Sequence, residues 1–297
     1  MGLSGIATGP SAAHTSSAGP PPTSHARRQA PPATSTPLPS RADSGLEVAI
    51  IDTGVAGYLA HGQWVCRRSC RREHRRVYPT DHGTFVASVI RSQSPTARLL
   101  SFRISRSDGS ISPQGLRTAI QTAQRRAIPI LNISTVLFYQ DQRIDQLINN
   151  PSRSVVVTAA GNQGARVSTR MPVTPCRTSS PRVVCVAALG SNQNLLPTSN
   201  WGARWVDVAA PGLTVDAHDQ SGQPVRVTGT SFAAATTSGF LSELSRHTNT
   251  TGNRLIQRAL RRAHPLAGVS HGALPTHQHA NSTPTDIHGK VGDSLTS

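Results

Sequence analysis

Leu46-Glu47-Val48-Ala49-Ile50-Ile51-Asp52-Thr53-Gly54 is a run of apolar, mostly β-branched residues that ends on a carboxylate and a turn. Val48 to Ile51 read as a buried strand, and Thr53-Gly54 marks where it stops. Working outward, the same kind of run recurs. Arg98-Leu99-Leu100-Ser101-Phe102-Arg103-Ile104, Ile130 to Ser134, Ser154 to Ala159 and Val183 to Ala187 supply four more strands. Amphipathic stretches fall between them. Ser112 followed by Pro113 is an N-cap with proline at the first helical position, after which Leu116, Ile120 and Ala123 share one face. Asp141 to Asn150, Phe232 to Arg246 and Asn253 to Arg262 are further helical segments. Strands alternating with helices predict an α/β fold with a doubly wound, mainly parallel sheet flanked by helices.

The ends of the chain read differently. Residues 1–44 are rich in Pro, Ser, Thr, Ala and Gly and nearly devoid of large apolar side chains, so they are expected to form a disordered leader. Residues 267–297, with His271, His277, His279 and His288 among small polar residues, are expected to be a disordered tail. A single domain over 45–266 lies between, and a hydrophobic content of 36% supplies its core.

Charge and cysteine content narrow the function classes. Thirty basic residues against 14 acidic ones give a formal charge of +16, and Lys290 is the only lysine. Such a balance favours anionic contacts. An excess of arginine over lysine this complete reads first as coding bias, so no specific nucleic-acid partner is expected. Cys66 and Cys70 are separated by three residues and Cys176 and Cys185 by eight. These local pairs suit two disulfides in an exported, periplasmic or secreted protein better than a zinc site, which usually has two-residue gaps. No run approaches the roughly 18 apolar residues of a membrane span, and no apolar stretch of a signal peptide is visible.

Reactive groups in open α/β sheets gather at the carboxyl ends of the strands. Asp52 closes the first strand, where a carboxylate is held rigidly and partly desolvated. Asp-Thr-Gly also occurs in aspartic proteases, but their second loop is missing: Asp43-Ser44-Gly45 lies only nine positions earlier. His82, in Asp81-His82-Gly83-Thr84, precedes a small and apolar run suited to a helix whose N-terminus would keep the imidazole neutral. Ser231, in Gly229-Thr230-Ser231-Phe232-Ala233, stands between an extended run and a helix, where its own N–H can face an oxyanion. Asn162, after Ala159-Ala160-Gly161, could give a second donor, a role worth about 3–4 kcal/mol. Taken singly, each also suits a structural part: a turn-capping Asp, a packed His, an N-cap Ser and a turn Asn.

Together, in the order Asp, His, Asn, Ser, these segments resemble the subtilisin-like (subtilase) family from about Val48 to Leu244. Ala209-Ala210-Pro211-Gly212 adds a fifth match. The Gly-x-Ser-x-Gly elbow of other hydrolases is not present around Ser231. The resemblance implies a serine endopeptidase with polypeptide substrates and no cofactor, which we expect to be a monomer. Ser231 would be nucleophile, His82 general base, Asp52 its orienting partner and Asn162 an oxyanion donor. Departures accompany the matches. Ala235-Thr236 replaces a usual Pro-His, Val136 falls where a glycine is usual, and Phe85 replaces a second histidine. The segment between Ile90 and Leu99 is short where relatives place a calcium loop, so no metal is expected there. A subtilase-fold binding protein with a blocked cleft is the alternative. Arg67 to Arg76, lying between the Asp and His motifs, reads as a solvated loop tied by Cys66 and Cys70.

Overall fold

The computed structural model of the chain describes residues 45–65, 81–106 and 111–275. In chain order these form β1 (Glu47–Asp52), β2 (Gly62–Val65), α1 (His82–Gln93), β3 (Arg98–Arg103), α2 (Pro113–Arg125), β4 (Ile130–Ile133), α3 (Gln142–Asn149) and β5 (Val155–Ala159). They continue with β6 (Val183–Leu189), β7 (Val208–Pro211), β8 (Val215–His218), β9 (Pro224–Val227), α4 (Thr230–Thr248), α5 (Gly252–Leu260) and β10 (Gly272–Ala273). Eight strands form one sheet in the order β10-β7-β6-β5-β4-β1-β3-β2. Every neighbouring pair in it is parallel. β8 and β9 make a separate antiparallel hairpin.

The continuous apolar runs are explained by burial on both faces of the sheet. Along β1, Val48 and Ile50 face the cluster that includes α1, α4 and α5, while Ala49 and Ile51 face the cluster of α2 and α3. Each fully buried valine or isoleucine contributes roughly 1.5–3 kcal/mol, so β1 is fixed in register from both sides. The helix starts follow local chemistry. Ser112 Oγ accepts the Gly115 N–H at 3.0 Å, and Asp141 Oδ1 accepts those of Arg143 and Ile144 at 3.0 and 3.2 Å. α4 is buried along most of its length, through Ala233, Ala234, Ala235, Thr237 and Ser238, and its small side chains let it pass between α1 and the sheet.

The five strands and the helices expected from the sequence are present, and three short sheet strands join them. β2, β7 and β10 have only two to four residues, too few to give a periodic signal. β10 corrects the expected tail: residues 267–275 belong to the fold. Val269 and Leu274 are buried there, Ser270 N–H donates to Val206 O at 2.8 Å, and Leu274 N–H donates to Ala209 O at 2.9 Å. Main-chain bonding to the edge of β7 holds this segment, and composition does not record such bonding. Residues 1–44 and 276–297 lie outside the described residues.

Candidate active site

The sheet reverses its chain order at β1, with β3 on one side and β4 on the other. Open α/β sheets bind ligands in the crevice at such a point, and Asp52 is the last residue of β1. Its side chain is fully buried. Oδ1 accepts the Thr53 N–H at 2.7 Å and lies 2.8 Å from His82 Nδ1. A carboxylate can only accept, so Nδ1 carries the proton of this bond, and in the neutral ring Nε2 keeps its lone pair. Asp52 Oδ2 has no hydrogen-bond partner among the described residues.

His82 opens α1, and its neighbours lock that helix onto the turn after β1. Gly83 N–H donates to Thr53 Oγ1 at 3.0 Å, and Ala56 N–H donates to Thr84 Oγ1 at 3.0 Å. A Cβ on Gly83 would overlap the Gly54 carbonyl oxygen. The Thr-Gly after Asp52 and the Gly-Thr after His82 are therefore two halves of one contact. The imidazole is about one-third exposed (34%), and its ring stands 5.7 Å from that of Phe232. The negative charge of Asp52 raises the His82 pKa above the ordinary imidazole value, against burial, and the hydrogen bond adds to the rise.

Ser231 is the second residue of α4 and is 7% exposed. The turn before it is fastened to the end of β7, since Gly229 N–H donates to Gly212 O at 2.8 Å. That bond gives Ala209-Ala210-Pro211-Gly212 its place in the site. The end of β4 holds Ser231 from the other side. Ser231 Oγ donates to Ser134 O at 3.0 Å, and Ser134 Oγ donates to Ser231 O at 2.9 Å. Asn132 Nδ2 donates to Ser134 Oγ, and Asn132 Oδ1 accepts from Ser238 Oγ, both at 2.9 Å. The Ser231 hydroxyl thus donates to a carbonyl and not to His82. Its N–H falls in the first turn of α4, where no carbonyl lies one turn back.

Asn162 is exposed on the loop after β5. Its Oδ1 accepts from the Thr230 N–H at 2.9 Å and Thr230 Oγ1 at 3.0 Å, leaving Nδ2 as the end of the carboxamide without a hydrogen bond among the described residues. The four predicted site residues therefore meet in two pairs. Asp52 touches His82 directly, Asn162 is tied to Ser231 through Thr230, and the Phe232 ring beside His82 joins the pairs. Thr84, Asn132, Ser134 and Thr230 fall within the motifs and strands read from the sequence, but sequence reasoning gave them no role, because each bonds to a group on a remote segment.

The departures have different surroundings. Val136 is half-buried and packs against two core clusters, and next to it Leu137 exchanges N–H and carbonyl bonds of 3.0 and 2.9 Å with Thr174. Phe138 and Tyr139 beyond it are exposed. Ala235 and Thr236 are fully buried in α4, so that change falls in the core. Cys176 and Cys185 form a disulfide with Cα atoms 5.0 Å apart, whereas Cys66, Cys70 and the Arg67 to Arg76 loop lie outside the described residues.

Comparison with known proteins agrees with this geometry. The profile of the subtilase family, Peptidase S8, matches residues 43–283. A thermophilic serine proteinase of Bacillus sp. (strain AK1) is 27% identical over 225 residues, 69% of this chain and 53% of that protein. Mycosin-1 of Mycobacterium tuberculosis is 29% identical over 76% of this chain and 65% of its own length. The chain thus spans about half to two thirds of these curated relatives. A cold adapted subtilisin-like serine proteinase of solved structure superposes with a TM-score of 0.65 at 22% identity, covering 79% of this chain and 88% of that one, which places the fold. With a family profile matched over most of its length and a doubly wound parallel sheet in common with such a proteinase, the chain belongs to the subtilase family.

Proposed function

We propose that this chain is a serine endopeptidase that hydrolyses peptide bonds through an acyl-enzyme, with Ser231 as nucleophile. The observation that carries the proposal is the 2.8 Å bond between buried Asp52 Oδ1 and His82 Nδ1. It holds the ring in the tautomer whose Nε2 can take a proton. For catalysis the Ser231 hydroxyl must leave Ser134 O, to which it donates at 3.0 Å, and donate to Nε2 instead. Oγ then attacks the scissile carbonyl while His82 becomes imidazolium, stabilised by Asp52. Asn162 Nδ2 and the Ser231 N–H receive the developing oxyanion. His82 returns its proton to the leaving amine, and water hydrolyses the ester by the same route in reverse. The residues named here need no cofactor for these steps.

Val136 lies three residues past β4 and is half-buried, and a β-branched side chain on that segment supports a narrow cleft by limiting how closely a substrate backbone approaches. We therefore propose small or extended side chains at the scissile residue. The Cys176–Cys185 disulfide supports an oxidising compartment, periplasmic or extracellular. Digestion of a peptide library beside the Ser231→Ala variant tests activity and reads specificity together. Cleavage that disappears in the variant is the expected result.

A second reading, a subtilase-fold binding protein, draws on the Ser231 hydroxyl bonded to Ser134 O and on Val136. Under that reading the library stays intact with the native chain while a peptide still binds.

A further inference from the structure

We infer that Asn200 is a positioning residue that sets the aim of the Asn162 carboxamide, an inference that rests on the serine-protease reading. Asn200 lies outside the segments that mark the site in sequence and is fully buried. Its side chain spends its whole hydrogen-bonding capacity on the loop that carries Asn162. Nδ2 donates to Ala160 O at 2.8 Å and to Gln163 Oε1 at 3.0 Å. Oδ1 accepts the N–H groups of Gln163 and Ala165, both at 3.0 Å. The Asn200 N–H donates to Gly161 O at 2.9 Å. One residue therefore holds main-chain groups of Ala160, Gly161, Gln163 and Ala165, on both sides of Asn162.

Asn200 is itself fixed to the sheet. Ser199 Oγ donates to Asn200 O at 3.0 Å and accepts the Ala188 N–H from β6 at 2.9 Å. The approach is close: Gly161 has φ +98°, and a Cβ there would stand 2.5 Å from Asn200 Nδ2. Thr230 fixes the plane of the Asn162 amide from the α4 side, and Asn200 fixes the backbone from which that amide springs. An oxyanion donor works only within a few tenths of an ångström of the position that the oxygen will occupy. Loosening the loop should therefore act on the transition state and leave ground-state binding nearly intact.

The test is a set of kinetic and unfolding measurements on the full chain with a fluorogenic peptide. Asn200→Ala should lower kcat at least tenfold with KM within about twofold. Gly161→Ala, which pushes on Asn200 from the other side, should do the same. A merely structural role would not produce the next result: in an Asn162→Ala background, Asn200→Ala should cost less than twofold in kcat. Should Asn200→Ala fail to fold by thermal melt, Asn200→Ser takes its place in the cycle. Additive losses, or a loss of stability with kcat unchanged, would overturn the inference. If Asn162→Ala alone leaves kcat unchanged, the oxyanion reading of Asn162 falls first, and this inference falls with it. If the chain cleaves nothing while Ser231 stays unreactive, the protease reading itself has failed.

Discussion

Two opposite effects act on His82. The charge of Asp52, the larger, raises the imidazole pKa above the usual value near 6.5, while burial pulls it down. A group whose folded pKa is raised adds stability below its unfolded pKa, and that share is lost as pH climbs through the folded value. Catalysis needs the neutral ring, so activity should rise over the same window in which this share is lost. We expect the acid limb of kcat/KM to lie above pH 6.5. Asp52→Asn should shift that limb downward and lower kcat by on the order of 10⁴-fold, because the ring then loses its tautomer. A pH profile that is unchanged in Asp52→Asn would contradict this account of the pair.

At the level of elements, the site is an assembly of ends: the tip of β1, the first turn of α1, the loop after β5 and the first turn of α4. This explains why so much of it was legible in the sequence. Asp52, His82, Asn162 and Ser231 each stand beside a glycine or a small residue that a close contact requires, as Gly83 shows against Gly54. What was not legible was anything held by remote partners. Thr230 and Asn200 have no periodicity, and β10 is a strand only because β7 offers it an edge. The 267–275 segment looked like tail for that reason. The disulfide tests an element without touching the chemistry. It closes a short loop between Cys176 and Cys185, nine positions apart, and the chain-entropy estimate for such a loop is roughly 2–3 kcal/mol. The Cys176→Ala/Cys185→Ala variant should lose about that much in urea unfolding, with kcat within twofold. A large fall in kcat would mean that β6 transmits strain to the Asn162 loop.

On the scale of the whole molecule, the far end of the sheet is a separate source of pH dependence. Burial raises the Asp207 carboxyl from 3.8 to about 6, although the Cys185 N–H donates to its Oδ2 at 2.7 Å and opposes the rise. A raised acid means that the folded state binds a proton more tightly than the unfolded one. Ionised Asp207 therefore weakens the fold progressively from about pH 4 to 6, and by a constant amount above that. Asp207→Asn keeps an acceptor for Cys185 and removes the charge. It should stabilise the chain at pH 8 by on the order of 3 kcal/mol and change little at pH 4. Equal effects at both pH values would show that Asp207 is not the titrating group. Because this group lies away from the crevice, stability and activity should respond to pH independently.

The central claim is that the Asp52–His82 pair activates Ser231, and labelling of the folded chain by a fluorophosphonate probe tests it most directly. We predict a single adduct on Ser231, located by peptide mass spectrometry, and its loss in His82→Ala. An unlabelled Ser231 in folded protein, or labelling that survives removal of His82, would contradict the claim.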